Sequence, residues 1–231
     1  MPAALLPLPP LAEQAERLIE VGAYEIGGVT AAQLRDGAQE RRPRTSGDAS
    51  RPRVCVQARV LDRARRQAWV RRGGHARRRR LRAIEPVALP AGPIYVAVDL
   101  DRGDHIANWS PDEALPAILA AGRTPLTLGE GIHWLLQQPE VLERKHCFMT
   151  IGSRLRKTDG SLDARTAALW ISNGTGRDGP ENRNAPKLDG AGPVRHTWLG
   201  FASAANRIPL SAIHAWQSAQ GHPSRASHGR P

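Results

Sequence analysis

The stretch "PIYVAVDLDRGDH" (residues 93–105) contains the strongest β-strand pattern in the chain. β-Branched and aromatic side chains fill its first half, and a Gly-Pro pair precedes the first apolar residue. The turn-like "DRGD" (101–104) ends the apolar run. The stretch therefore predicts a strand over 93–100, about which the other elements can be placed.

Two capped helical segments follow this strand, "SPDEALPAILAAG" (110–122) and "TLGEGIHWLLQQ" (127–138). Each begins with a hydroxyl residue that has glutamate three positions later, which is the pattern of a capping box. Together they predict a central αα-hairpin. Its core would be formed by six apolar side chains: Leu115, Ile118, Leu119, Ile132, Leu135 and Leu136.

A helix-turn-helix is the alternative interpretation of these two helices, since "AAGRTP" (120–125) contains a glycine and has a suitable length. A recognition helix must present side chains that read bases and bind phosphates. The second helix offers only His133, Gln137 and Gln138, with no arginine or lysine. The sequence therefore favours the packed hairpin.

The remaining segments predict an α+β fold with an N-terminal helical hairpin, the central αα-hairpin and a small, mostly antiparallel sheet. Thr30 is the predicted N-cap of the second N-terminal helix, and an Arg-rich segment is irregular. Further strands are predicted in "VCVQARVL" (54–61), "CFMTIGS" (147–153), "AALWISN" (167–173) and "HTWLGFASA" (196–204), with a loop over 174–193. The predicted divisions are 1–40 (N-terminal helices), 41–80 (Arg-rich), 81–210 (α+β domain) and 211–231 (disordered tail).

The net charge of +11 is concentrated in one segment. Residues 41–82 hold sixteen arginines and two aspartates, a net charge of +14, whereas the other 189 residues carry −3. A nucleic-acid hypothesis therefore depends on this segment, with Arg77, Arg78, Arg79 and Arg80 as candidate contacts. Only Trp69 is available there for base stacking. The chain has only three lysines, so the codon bias of a GC-rich gene is a competing cause of the arginines.

Several classes of protein are not indicated by the sequence. Two cysteines without a CxxC pair give neither a disulfide framework nor a zinc site, and no apolar stretch has the length of a membrane helix. The start lacks the features of a signal peptide, so a cytoplasmic location is expected. "SNGTGRDG" (172–179) lacks the ending of a phosphate-binding loop. No cofactor or metal is predicted.

Three aspartates in "DLDRGDH" (99–105) suggest two alternatives. Clustered carboxylates can bind magnesium or calcium, but their spacing does not match a calcium loop. The other interpretation is a solvated turn in which aspartates accept hydrogen bonds from backbone N–H groups. The second interpretation is preferred.

The block "RHTWLGFAS" (195–203) contains the main candidate site. On a strand, His196 and Trp198 would share one face, and the imidazole could act as an acid–base group. Asp99 is a second catalytic candidate, and Arg154, Trp198 and Arg207 are candidates for ligand binding. The sequence assigns no partner to His196, so a structural histidine is the alternative.

Several ordered blocks of the chain resemble an uncharacterised actinobacterial family, domain of unknown function 5701. The blocks are "SPDEALPAILAAGRTPLTLGEGI" (110–132), "PEVLERKHCFMTIGSR" (139–154), "ALWIS" (168–172) and "HTWLGFASAANR" (196–207). The resemblance covers 81–207 closely and 11–36 more distantly. It implies a bacterial, cytoplasmic protein, and it supplies no activity, cofactor or catalytic residue.

Two segments depart from the pattern that this resemblance implies. Hydrophobic strands are expected where the Arg-rich segment lies, and a segment with tryptophan and cysteine is expected before His196. The pattern resumes cleanly after each departure. We therefore hypothesise that residues 41–80, and also 188–195, are out-of-frame translation in a GC-rich gene.

The sequence as a whole predicts a non-catalytic binding or interaction module whose partners are not identified. One alternative is a small enzyme or ligand-binding domain with a site around His196 and Trp198, joined by Asp99 and Arg154. The other alternative is a nucleic-acid binder that uses the Arg-rich segment.

Overall fold

A computed structural model of the chain describes residues 7–22, 24, 29–39, 54–58, 81–192, 195–213 and 215. Its α-helices are α1 (Leu11–Glu20), α2 (Ala31–Ala38), α3 (Pro111–Ala120) and α4 (Leu128–Gln137). The predicted N-caps Thr30, Ser110 and Thr127 each accept a hydrogen bond from the third helical residue, and each belongs to a complete capping box. In the part of the chain that the structure describes, no helix has the length and apolar character needed to cross a membrane.

The predicted strand is confirmed as β3 (Ile94–Asp101), which lies inside a four-stranded antiparallel sheet. Its neighbours are β1 (Val54–Ala58) and β10 (Ser203–Pro209), and β4 (Thr124–Pro125) lies beyond β10. Alternate residues of β3 belong to two separate apolar clusters. Because both faces of β3 are buried, its sequence is a continuous apolar run.

The second four-stranded sheet has the order β8 (Pro186–Ala191), β7 (Thr166–Ile171), β5 (Cys147–Met149) and β9 (Leu199–Phe201). All its pairs are antiparallel except that of β5 with β9. A separate ribbon joins β2 (Leu81–Ala83) to β6 (Ser153–Leu155). The α+β class with mostly antiparallel strands is therefore confirmed, with two sheets and a ribbon where one small sheet was expected.

A single residue, Ala202, separates β9 of the second sheet from β10 of the first sheet along the chain. It stands between β9 and β10, and its N–H donates to the carbonyl of Met149 (3.0 Å) in the second sheet. Its carbonyl accepts from the N–H of Leu126 (2.8 Å), which follows β4 of the first sheet. The backbone is tightly packed nearby, since a Cβ built on Gly200 would lie 2.4 Å from the carbonyl oxygen of Arg102. The block "HTWLGFASA" thus supplies neighbouring strands to both sheets.

Helices α1 and α2 cover one face of the first sheet. Leu11, Leu18 and Leu34 form a buried cluster with Val96 and Val98 of β3. The opposite face of β3 contacts the larger cluster, which contains residues of α3, α4 and the second sheet. The two clusters therefore have the first sheet between them.

Helix α1 also protects the outer edge of the first sheet. The side-chain oxygen of Gln14 accepts a hydrogen bond from the backbone N–H of Val56 (2.9 Å), although Gln14 lies on a helix. Its amide nitrogen donates to the carbonyl of Pro9 (2.7 Å), and the residue is 1% exposed. A glutamine side chain thus takes a position at which another strand could pair with β1.

The link between α3 and α4, the helices of the predicted central αα-hairpin, contains a short strand. Thr124 and Pro125 form β4, which pairs with β10 between the two helices. Ile118 and Leu135 do enter the same apolar cluster, whereas Leu119 is 38% exposed. The residues that join the two helices thus form a strand of the first sheet, which local sequence did not indicate.

The loop predicted over 174–193 is wrong for Pro186–Ala191, which form β8. Pairing with β7 along six residues outweighs the low strand propensity of Pro, Gly and Asp. Pro186 is the first residue of an edge strand, a position that tolerates the missing N–H. Residues 188–191 therefore belong to a sheet, and the hypothesis that 188–195 are out of frame stays a prediction.

Two other predicted segments lie mainly outside the described residues. Within 41–80 only 54–58 are described, and they form β1; Arg77, Arg78, Arg79 and Arg80 lie outside the described residues. Within the predicted tail, Ile213 is buried in the cluster below α1 and α2. Cys55 and Cys147 are both buried free thiols.

Candidate functional site

Four side chains from three segments form a half-buried surface on the second sheet, which we call the aromatic surface: Trp170 on β7, Lys187 on β8, and His196 and Trp198 before β9. The rings of Trp170 and Trp198 stack with centroids 5.3 Å apart. The imidazole of His196 meets Trp198 edge-on at 5.4 Å. The ammonium of Lys187 lies 5.1 Å from the centre of the Trp170 ring. These are the ordinary geometries of aromatic and cation–π contacts.

Sheet register brings Lys187 to Trp170, because the two residues are directly opposite in the β7–β8 pair. Lys187 also contacts the carboxylate of Asp178 (2.6 Å), which accepts a hydrogen bond from the hydroxyl of Ser172 (2.7 Å). The bonds from Lys187 and then Ser172 hold the pKa of Asp178 below its ordinary value. The loop "SNGTGRDG" therefore anchors this lysine.

His196 and Trp198 do not lie on a strand, so that prediction is wrong. The carbonyl of His196 accepts from the N–H groups of Asn108 (2.9 Å) and Leu199 (3.3 Å), and the chain turns before β9 begins at Leu199. The turn holds the two rings in contact, as the shared strand face was expected to do. In the part of the chain that the structure describes, the His196 ring contacts Trp198 and has no hydrogen bond to a carboxylate or hydroxyl.

Asp99 lies on β3 in another environment. Its carboxylate pairs with Arg123 (2.7 Å), whose Nε donates to the hydroxyl of Ser203 (2.9 Å). Its backbone has φ +54°, a left-handed conformation that is uncommon for a residue with a side chain. The Arg123 guanidinium also donates to the Asp99 carbonyl, and so holds this segment from two sides.

Arg207 on β10 forms a buried ion pair with Glu130 of α4, with contacts of 2.6 and 2.8 Å. Glu130 also accepts hydrogen bonds from Tyr95 (3.0 Å) and from the N–H of Thr127 (2.8 Å). Arg207 further donates to the hydroxyl of Thr124. The guanidinium that was a ligand-binding candidate thus joins helix α4 to the first sheet.

Arg154 on β6 is also buried, but its hydrogen bonds differ in kind. Its Nε and Nη2 donate to the backbone carbonyl of Asp163 at 3.0 and 2.8 Å. The carboxylate of Asp112 lies 3.9 Å from Nη2. Burial lowers the pKa of Arg154, and the charges of Asp112 and Asp163 do not offset it.

The four residues of the enzyme alternative therefore have three separate sets of contacts. His196 and Trp198 contact each other, Asp99 contacts Arg123, and Arg154 contacts Asp163. His196 and Trp198 are brought together, and a single site that joins them to Asp99 and Arg154 gains no support.

The "DRGD" turn is built around a buried arginine. Arg102 contacts Asp104 (2.7 Å) and Glu143 (3.2 Å) and donates to the carbonyl of Val141 (2.8 Å). Asp101 accepts from the N–H of Gly103 (2.8 Å), as the turn interpretation expects. Among the described residues, no group of three or more histidine, cysteine, aspartate or glutamate side chains is arranged to hold a metal ion.

The polar side chains required by the helix-turn-helix alternative are buried. Gln137 donates to the carbonyl of Gln14 (2.9 Å), and Gln138 accepts from the indole N–H of Trp134 (3.0 Å). Burial lowers the pKa of His133, whose Nδ1 contacts the carbonyl of Gly129 (2.8 Å). Helix α4 therefore presents no base-reading side chain among these three.

Sequence reasoning missed Trp170 and Lys187 as members of the site. Trp170 stood in a block noted only as a strand, and Lys187 stood in a predicted loop. Because a cross-strand register joins them, neither local composition nor spacing could place them together. The only signal was the "ALWIS" block itself, in which a large polar-tipped aromatic follows buried apolar residues.

Comparison with protein-family models matches residues 17–210 to DUF5701, described as a family of unknown function. The comparisons with curated proteins and with solved structures found no match. The matched region contains the aromatic surface, the buried ion pair and both sheets. The chain therefore belongs to the DUF5701 family.

Proposed function

We propose that this protein is a non-catalytic binding module that recognises a flat-ringed ligand through the aromatic surface. The observation that carries the proposal is the stacked pair Trp170 and Trp198, which is partly exposed and flanked by an imidazole and an ammonium group. Indole rings give a large contact area and lose little rotamer freedom on binding. The surface is therefore suited to stacking against a planar group.

Polar tips around the rings would set the ligand's orientation. Lys187 is already held by Asp178 and by the Trp170 ring, so it would lose little freedom on binding. The His196 ring stays at the edge of Trp198, where it is half-exposed.

The contacts of His196 support binding over acid–base catalysis. A general base is ordinarily oriented by a third group and lies within hydrogen-bond reach of its proton donor. The His196 ring has its described contact with an indole instead. The buried thiol of Cys147 has a raised pKa, caused mainly by burial, so it is poorly suited to be a nucleophile.

The proposal also includes a cytoplasmic location and an actinobacterial source for this protein. Two buried free cysteines support a reducing compartment such as the cytoplasm. The abundance of arginine over lysine supports a GC-rich actinobacterial source. The nucleic-acid alternative depends on Arg77–Arg80, which lie outside the described residues, and it stays a prediction.

The test is a titration followed by the indole N–H resonances in NMR spectra, with nucleosides, aromatic amino acids and oligosaccharides as probes. A bound ring should shift the resonances of Trp170 and Trp198. Trp198→Ala should weaken binding by about 5- to 150-fold, the loss expected for about 1–3 kcal/mol of stacking.

Trp109 provides the matched control, since it is 37% exposed and does not belong to the aromatic surface. Trp109→Ala should bind the same probe as the unmodified protein does. The proposal is refuted if none of the probes shifts Trp170 or Trp198, or if Trp109→Ala weakens binding as much as Trp198→Ala.

A further inference from the structure

Three arginine side chains in the described part of the chain are buried, and one of them lacks a close carboxylate. Arg102 and Arg207 each hydrogen-bond to carboxylates at 2.6–3.2 Å. Arg154, only 3% exposed, donates to one backbone carbonyl instead. Burial lowers the pKa of all three, but carboxylate hydrogen bonds reverse this for Arg102 and Arg207, whose pKa is raised. Of these three arginines, Arg154 is the one whose burial is not offset by a hydrogen bond to a carboxylate.

The nearest carboxylates do not supply the missing partner. The Asp163 carboxylate is bound to Arg165, with contacts of 2.7 and 2.9 Å. The Asp112 carboxylate is 3.9 Å from Arg154, beyond hydrogen-bond distance, and its side chain is 89% exposed. A buried cation without a close anion is costly, and proteins ordinarily pair such a group.

Positive charge is increased further by the strand register. Arg82 of β2 is directly opposite Arg154 of β6 in the antiparallel ribbon. Directly opposed residues project on the same face, and like charges in that position are destabilising. The first turn of α3, which contains Asp112, adds the positive end of a helix dipole. Arg154, Arg82 and the end of this helix would attract an anion placed here, which would compete with the Asp112 carboxylate for them.

The Arg154 guanidinium has one nitrogen, Nη1, without an acceptor among the described residues. Its Nη1 donates to none of the described residues. It is also not one of the fully buried atoms without a partner, which in the described part are Gln137 Oε1 and Trp170 Nε1. Nη1 is therefore not fully enclosed, and its two N–H groups have no acceptor among the described residues.

We propose that Arg154 is the central residue of an oxyanion-binding site that accepts a phosphate or carboxylate group of a small ligand. The anion would contact Nη1 and Nη2 between β6 and the first turn of α3, and Arg82 would lie at its rim. In the free protein, Asp112 partly occupies the position of the anion and moves aside on binding. This site is independent of the aromatic surface.

The experiment titrates the full chain with inorganic phosphate and, separately, with malonate at constant ionic strength held with sodium chloride. The Nε–H resonance of Arg154 reports binding in variants that retain this residue, and the backbone amide resonances of β6 report it in Arg154→Gln. We expect saturable shifts with at least one anion and at least a tenfold loss of affinity in Arg154→Gln, because charge-assisted hydrogen bonds are removed. Tighter binding of phosphate would identify a phosphorylated ligand, and tighter binding of malonate would identify a carboxylate.

Asp112→Asn is a second test, which still applies if Arg154→Gln does not fold. Asp112 is on the surface, so its substitution is expected to leave the fold intact. It removes the competing carboxylate, so it should bind the anion at least threefold more tightly. Asp36→Asn on α2 changes the net charge equally and should bind as the unmodified protein does. The site is refuted if Asp112→Asn and Asp36→Asn bind the anion with equal affinity. It is also refuted if neither phosphate nor malonate shifts the resonances more than sodium chloride does. Loss of anion binding in Trp198→Ala would also refute the location at Arg154.

Discussion

In the part of the chain that the structure describes, two capping boxes have a glutamate that pairs with arginine, and one of these two ion pairs is buried. Glu130 is fully buried and accepts hydrogen bonds from Arg207, Tyr95 and Thr127. Glu113 has the same position in α3 and pairs with Arg195, but both of these side chains are about half exposed. Glu130→Gln and Glu113→Gln therefore make the same chemical change in two environments.

Glu130→Gln is expected to lower the free energy of unfolding by about 3–5 kcal/mol, because it leaves the Arg207 guanidinium buried without its counter-charge. Glutamine retains one oxygen, for which Thr127, Tyr95 and Arg207 would compete. With a urea m-value of about 2 kcal/mol/M, the unfolding midpoint should fall by about 2 M. Glu113→Gln should leave the midpoint close to that of the unmodified protein, because its partner stays in water.

Urea unfolding followed by circular dichroism measures both variants under the same conditions. The double variant Glu130→Gln/Arg207→Met removes the unpaired charge, and it should be at least as stable as Glu130→Gln alone. Equal midpoints for Glu130→Gln and Glu113→Gln would show that burial of the ion pair does not determine its contribution. That result would refute the reasoning.

Three further predictions concern stability. Burial lowers the pKa of His133, so the unfolded chain binds a proton more readily; stability should be complete above the ordinary histidine pKa of about 6.5 and fall below it. Urea midpoints at pH 7.5 and 5.0 should differ less in His133→Gln, and an unchanged difference would contradict this assignment. Gly200→Ala should lower the free energy of unfolding by about 1–3 kcal/mol, because the added Cβ would lie 2.4 Å from a backbone oxygen. Gly190→Ala is the control, because a Cβ at Gly190 meets no atom within 4 Å. Equal thermal midpoints for the two variants would contradict the close approach at Gly200. Gln14→Ala should cost about 1–3 kcal/mol and speed hydrogen exchange at the Val56 amide, and unchanged exchange there would show that the glutamine does not protect this edge.

Local sequence patterns were sufficient for the elements whose signals are local. The capping boxes at Ser110 and Thr127 and the apolar run of β3 are encoded within a few residues, and the structure confirms them. Strand β8 could not be found in this way, because its Pro, Asp and Gly residues become a strand only through pairing with β7. The same holds for β4, a two-residue strand formed by pairing with β10.

The candidate site shows the same limit. The contact between His196 and Trp198 follows from two residues of separation, so the sequence could suggest it. Lys187 contacts Trp170 because the two residues are opposite each other in the β7–β8 pair, and this register could not be predicted from the local sequence. Burial was also hidden from the sequence, which made Arg154 and Arg207 equivalent candidates for ligand binding, whereas in the structure a buried glutamate, Glu130, pairs with Arg207 alone of the two.

The position of Ala202 has a consequence for synthesis of the chain. The first sheet needs β10 beside β3, and the second sheet needs β9 beside β5, yet both of these strands lie between residues 199 and 209. A chain that emerges from the ribosome N-terminus first therefore holds β3 and β5 without these partners until almost the whole matched region is outside. One hydrogen-bonding edge of each strand would stay unpaired throughout that interval, so we expect truncation of the chain before residue 209 to leave both sheets incomplete.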